Sequence, residues 1–217
     1  MSGGAYGILR IPEWILKFAY LTVLWVIFSM AGLIAFGVFP ATAALMAIQR
    51  QWLKKDADVS VLANFIHYYK KNFVKSNLVG YLWGTIVFTL YVYFQLIQLL
   101  DGPLYTFTFY GLVVTTLLSV LTAAYSFAVL VHFELPLFYV IKNAFLIMIV
   151  SPLTSVMIVS GCVILFFVFR HHPGLLVIFG PSVFTFLVLF SSYLAFLHIE
   201  KKQERQFMHT VKKVRSE

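Results

Sequence analysis

Charge is scarce in this chain and cysteine nearly absent. Only 11% of its 217 residues are Asp, Glu, Lys or Arg, where a soluble domain carries roughly 25%. That excludes a water-dispersed globule, because too little polar surface exists to cover the apolar remainder. A single cysteine, Cys162, excludes an intrachain disulfide and a cysteine-based zinc site. It lies inside an apolar run, where a thiol packs as a small hydrophobe. No acidic or basic residue falls near the middle of any long apolar run. Ion-coupled pumps keep such groups at depth, so an autonomous pump is disfavoured while a neutral-solute pathway stays open. Catalytic signatures are missing too: no His-Glu-x-x-His, no Gly-x-Ser-x-Gly, no phosphate-binding glycine loop and no paired intramembrane aspartates. No enzymatic activity, cofactor or metal is expected, since the adjacent His171 and His172 do not face one ion from a regular helix. Strand-like alternation is also lacking, which excludes a membrane β-barrel.

What is present is apolar and long-running. Hydrophobic residues make up 61% of the chain, the mean hydropathy is +0.91, and several runs exceed the roughly 20 residues that cross a bilayer. The expected fold is all-α: one membrane domain over 1–217, a polytopic bundle of five transmembrane helices. The spans fall at about 18–39, 78–100, 105–131, 144–169 and 175–199. The run after Lys17 is too long for a signal peptide and reads as a retained first span. Asp101-Gly102-Pro103 and Arg170 to Gly174 turn the chain between spans, and 200–217 is a charged tail.

The one long polar stretch lies between the first and second spans, at 40–76. Pro40 opens a helix, in the first turn where its missing N–H costs nothing. After a polar break, Val59, Leu62, Phe65, Ile66, Tyr69 and Phe73 recur at helical spacing. Both helices are expected to lie in the headgroup layer with their lysines toward anionic lipid. A formal net charge of +8 would suit nucleic acid in a soluble chain. In a membrane chain it reflects Lys and Arg gathered on the cytoplasmic edge, and no nucleic-acid partner is expected. Thirteen of the sixteen Lys and Arg fall on one side of the five-span arrangement; Arg10, Lys17 and Arg170 fall on the other. The expected placement is therefore the bacterial plasma membrane, multi-pass, N-terminus outside and C-terminus cytoplasmic.

Smaller features carry less. Lys71-Asn72 and Lys142-Asn143, seventy-one residues apart, each precede two spans joined by a Pro/Gly turn, as parallel repeats would. Any two hairpins of membrane helices share that outline. Gly80 and Gly84 have small-xxx-small spacing. Thr115, Ser119, Thr122 and Ser126 share one helix face and suit helix packing. His132 and Glu134 read as interfacial groups within reach of water, with a gating role as the alternative.

Leu24-Trp25, Gly32, Gly37-Val38-Phe39-Pro40-Ala41-Thr42-Ala43-Ala44-Leu45, Arg50, Trp52, Phe65, Tyr69-Lys70-Lys71-Asn72-Phe73 and Lys75-Ser76 together resemble the YesL family. These are bacterial integral membrane proteins classed as a domain of unknown function. Length and span pattern agree over nearly the whole chain, while the motifs lie in its first third. Thr22 departs from the pattern, which expects an asparagine before the Leu-Trp pair. The resemblance implies an association with carbohydrate utilisation, and an accessory or regulatory subunit beside the permease subunits of a sugar ABC importer. Residues expected to meet a protein partner or membrane lipid are Pro40, Thr42, Arg50, Trp52, Phe65, Tyr69, Lys71, Asn72 and Phe73. A stand-alone solute channel or carrier and a lipid-binding scaffold are the alternatives.

Overall fold

Arg10–Ala31 form the first helix, α1, and the chain then reverses through Gly32–Gly37 into α2, Val38–Leu53. A computed structural model describes residues 10–54 and 60–216, without the side chains of residues 10, 11 and 200–216. At the reversal Leu33 and Ile34 adopt left-handed φ of 56° and 61°, a region disfavoured for side chains with a Cβ and most of all for a β-branched one. Glycine brackets the turn because nothing larger fits. A Cβ on Gly32 would strike Gly37 and the Tyr69 hydroxyl, and one on Gly37 would strike the carbonyl of Ser29. Pro40 sits in the first turn of α2, where no intrahelical partner awaits its nitrogen.

The remaining helices are α3 (Val61–Leu96, extended by a single tight turn at Ile97–Leu99), α4 (Gly102–His132), α5 (Leu137–Val150), α6 (Pro152–His171) and α7 (Pro173–Ser216). No strand occurs among the described residues. Five helices are long and apolar enough to cross a membrane: α1, α3, α4, α6 and α7. Their outward faces carry large apolar side chains such as Leu82, Phe88, Phe107, Leu153, Phe166 and Val177. Exposed to water, that surface would far exceed the few hundred Å² a soluble monomer tolerates. The protein is a multi-pass, all-α membrane bundle.

Its core is arranged around α2. Alanines at 41, 43, 44 and 47 are buried, and their small side chains let neighbouring backbones approach closely. On one side Ala41, Ala44, Leu45 and Ile48 meet Leu21, Leu24 and Phe65. On the other, Ala43 and Met46 join the larger cluster with Trp83, Tyr125, Val188 and Phe196. So α2 touches α1, α3, α4 and α7.

Three expectations change in placement. The segment 40–76 is helical as expected, but α2 is the covered centre of the bundle and not a peripheral interfacial helix. The amphipathic stretch and the second span are one helix. Ser76 Oγ and Asn77 Nδ2 bond back to Asn72 O at 2.7 Å and Phe73 O at 2.9 Å, so neither polar side chain interrupts α3. At about 1.5 Å per residue its 36 residues extend about 54 Å, well beyond a hydrocarbon layer of about 30 Å. Conversely, the expected span at 144–169 is divided at Ser151, because Pro152 steers the residue before it out of the helical region (φ −121°, ψ 65°). This division has no counterpart in α3, so the two proposed repeats differ in build.

The first helix also runs in an unexpected direction. A one-way span from Phe18 to Phe39, starting outside, would lie antiparallel to α3. Instead the chain reverses after Ala31, α2 returns alongside α1, and α1 is parallel to α3. Trp14 packs against Trp52 and Trp25 bonds to Thr42, while Phe39 packs on Tyr81 and Gln51 bonds to Tyr68.

Candidate functional site: the polar end of the bundle

The end of α2, the first half of α3 and the end of α4 converge, and their polar groups pair across the junction. Arg50 donates from Nε to His132 Nδ1 at 3.2 Å and from Nη2 to the His132 carbonyl at 3.3 Å. Accepting at Nδ1 requires the imidazole to be neutral with its proton on Nε2. The ring is wedged between Phe133 and Phe196, each with its centroid 4.6 Å away, so apolar packing and the guanidinium fork together fix its orientation.

Two residues past His132, beyond the end of α4, Glu134 Oε1 meets Lys71 Nζ at 2.5 Å, with both side chains well exposed. The ammonium donates to the carboxylate and holds the Glu134 pKa below its ordinary value, with Lys75 adding a smaller push the same way. Lys75 itself reaches the Leu135 carbonyl at 3.4 Å. Gln51 donates to the Tyr68 hydroxyl at 3.0 Å, joining α2 to α3. Between these pairs lies a cavity of about 230 Å³ lined by Arg50, Tyr68, Lys71, Asn72, His132 and Glu134. Larger clefts of about 450 and 360 Å³ are walled mainly by apolar side chains such as Cys162, Phe166 and Phe184.

The structure separates the nine residues expected to form a contact surface. Arg50, Lys71 and Asn72 meet at the polar cavity. Pro40 and Phe65 are buried, with Phe65 against Phe28 at a centroid distance of 5.1 Å; both are internal packing groups and present no face to lipid or partner. Thr42 accepts the Trp25 indole N–H at 3.0 Å and donates to Val38 O at 2.7 Å. Trp52 lies edge-on to Trp14 at 5.7 Å. Tyr69 donates to Phe28 O at 3.3 Å and lies edge-on to Phe73 at 5.6 Å. These half-buried aromatics hold α1 to its neighbours. Asn77, outside the expected set, ties α3 to the reversal by donating to Phe36 O at 3.0 Å.

Sequence pattern pointed to His132 and Glu134 as interfacial groups but not to their partners. It missed a second polar set deeper in the bundle. Gln49 is fully buried and donates from Nε2 to Ser182 O at 2.7 Å. Ser182 Oγ bonds to Phe18 O at 2.7 Å and to the Thr22 hydroxyl. Thr22 and Ser182 thus form a polar tie between α1 and α7. A glutamine among alanines, one residue before Arg50, was the available signal. Among the described residues, no three His, Cys, Asp or Glu side chains group as a metal site would.

Residues 18–94, the span of α1 to α3 apart from the first turns of α1 and the last turn of α3, match the family model described as "Protein of unknown function, DUF624". Three relatives from Bacillus subtilis (strain 168) align over nearly their whole length. The uncharacterized protein YteU is 32% identical over 92% of this chain and 90% of its own. YesL is 28% identical over 93% and 95%, and YesV 29% over 89% and 93%, respectively. No solved structure matches the chain. Near-complete coverage by such relatives, with the family-model match falling on α1, α2 and α3, shows that this chain belongs to the YesL-like DUF624 family.

Proposed function

We propose that this protein is a non-enzymatic subunit of the bacterial plasma membrane, docking beside the permease subunits of a carbohydrate ABC importer as an accessory or regulatory element. The observation that carries the docking role is the polar end of the bundle. Arg50–His132 and Lys71–Glu134 bring polar groups of α2, α3 and the end of α4 together around a small polar cavity, and Lys70, Lys71 and Lys75 stand exposed on α3. A charged rim above a lipid-facing bundle suits lateral attachment to another membrane protein. The sugar-import part of the proposal rests on what the family resemblance implies.

Affinity purification from native membranes in mild detergent tests it. Sugar-permease subunits should co-purify with the wild-type chain and be lost from a Lys70→Glu, Lys71→Glu, Lys75→Glu variant that still inserts and elutes as a folded species. Absence of permease subunits, together with sugar uptake unaltered by deletion of the gene, would overturn it. The same exposed lysines favour a second reading, a scaffold that binds anionic headgroups. In that case vesicle co-flotation would depend on anionic lipid, and no protein would be captured.

A further inference from the structure

The three helices around the reversal fix how the chain enters the membrane. Going along α1, Trp14 and Phe18 meet Trp52 at the end of α2, Trp25 meets Thr42 in its middle, and Gly32 abuts Gly37 before its start. Going along α2, Phe39 meets Gly80 and Tyr81 of α3, and Gln51 meets Tyr68. Each pair is antiparallel. Near the end of α1, Phe28 meets Phe65 and Tyr69 of α3, and in the reversal Phe36 meets Asn77 and Tyr81 further along that helix. Helix α1 therefore sets out from the same end as α3, and α2 brings the chain back to it.

That path cannot belong to a protein whose first helix crosses once and whose second lies flat, because α1 would then oppose α3. The hairpin has no net crossing, whether it penetrates part of the way or the whole. At about 1.5 Å per residue, the 16 residues of α2 extend about 24 Å, somewhat short of a hydrocarbon layer of about 30 Å. Four passes remain. Helix α4 runs back against α3, with Phe94 near Phe109 and Trp83 bonded to Ser126. Helices α5 and α6 carry the chain across once more, and α7 returns against α6, where Gly161 faces Leu187.

We infer that the start of α1 and the end of α7 lie on one face of the membrane, the cytoplasmic one, and that α1 and α2 form a returning hairpin beneath it. Charge agrees independently. Arg10 and Lys17, which sit awkwardly under an outward N-terminus, now join the basic side. Fifteen of the sixteen Lys and Arg fall on that face by chain order, leaving Arg170 alone opposite, a stronger positive-inside asymmetry than one-way crossing by α1 allows. The polar rim of Arg50, Lys71 and His132 then shares its face with the start of α1. This conclusion stands whether or not an importer is the partner.

Single-cysteine accessibility in whole cells tests it. In a Cys162→Ser background, Ser2→Cys, His172→Cys and Ser216→Cys are treated with a membrane-impermeant maleimide before and after permeabilisation. His172→Cys should label in intact cells, and the two terminal sites only after permeabilisation. Labelling of Ser2→Cys in intact cells while Ser216→Cys stays protected would overturn the inference. Green fluorescent protein, which fluoresces only in the cytosol, fused in turn to each end of the unaltered chain gives a second measurement. Fluorescence from both fusions supports the hairpin, and a dark N-terminal fusion with a bright C-terminal one refutes it.

Discussion

Gln49 of α2 donates its amide N–H to the main-chain carbonyl of Ser182 in α7 at 2.7 Å, with both residues wholly buried. Its other amide atom, Oε1, has no partner among the described residues. The bond ties the central helix to the last one at the level where Ser182 also holds Phe18 and Thr22 of α1.

This asymmetry makes a graded prediction. Gln49→Ala removes the bond and opens a cavity, and should cost about 2–4 kcal/mol. Gln49→Leu also forfeits the bond but keeps the volume and eliminates the unpartnered oxygen, so it should cost less, about 0.5–1.5 kcal/mol. Thermal unfolding in detergent, followed by tryptophan fluorescence, should rank wild type above Leu above Ala. Equal losses for the two variants would show that volume plays no part.

Two glycines with identical spacing should behave differently. A Cβ at Gly80 would collide with the Phe39 ring, whereas one at Gly84 meets nothing within 4 Å. Gly80→Ala should separate α2 from α3 and reduce folded yield sharply. Gly84→Ala should be neutral or stabilise by up to about 1 kcal/mol, the helix-propensity gain. Size-exclusion profiles of the two variants distinguish these outcomes.

Tyr125 is fully buried and its hydroxyl lies 2.7 Å from Thr154 Oγ1, linking α4 to α6 just beyond the Ser151 break. Tyr125→Phe should lower stability by about 0.5–2 kcal/mol, the range of interhelical hydrogen bonds in membranes. Tyr125 also reaches Ser155 Oγ at 3.3 Å and Thr154 donates to Ser151 O at 2.8 Å, so a Tyr125→Phe, Thr154→Val double variant should lose less than the sum of the two single changes by the worth of the shared bond. Strict additivity in that cycle would show the hydroxyls to be uncoupled.

The Lys71–Glu134 pair should be visible in titration and almost invisible in stability. The lysine lowers the folded pKa of Glu134, so the pair contributes above the ordinary carboxylate pKa and fades as pH falls through the lowered value. Carboxyl-carbon NMR should show the Glu134 midpoint rising in Lys71→Met. Because the glutamate is fully exposed, Glu134→Gln should leave the melting temperature unchanged at neutral pH. An unmoved midpoint would mean the ion pair does not persist in solution.

Much of the architecture was legible from residues alone. Apolar runs bounded by Asp101-Gly102-Pro103 and His172-Pro173 marked helix limits that the structure keeps to within a few residues, because proline and glycine act on the backbone locally. The site was legible only by halves. Arg50, Lys71 and Asn72 belonged to the recognisable polar stretch. Their joining to His132 and Glu134, more than sixty residues away, depends on how three helices converge. Phe65 and Pro40 looked like surface because helical periodicity marks one apolar face and does not say what covers it.

Solvent preference belongs to each residue wherever its neighbours lie, so composition and hydropathy alone determined that the chain is an apolar helical membrane bundle. Where α2 sits and which way α1 runs were decided only in three dimensions. Alanines at 41, 43, 44 and 47 suit an exposed helix or a covered one equally, until four other helices close on them. Left-handed turns at Leu33 and Ile34 are not advertised by those side chains. They are held because Tyr69, Asn77 and Tyr81 of α3 pack or bond against the loop they make, and that reversal gives the first helix its direction.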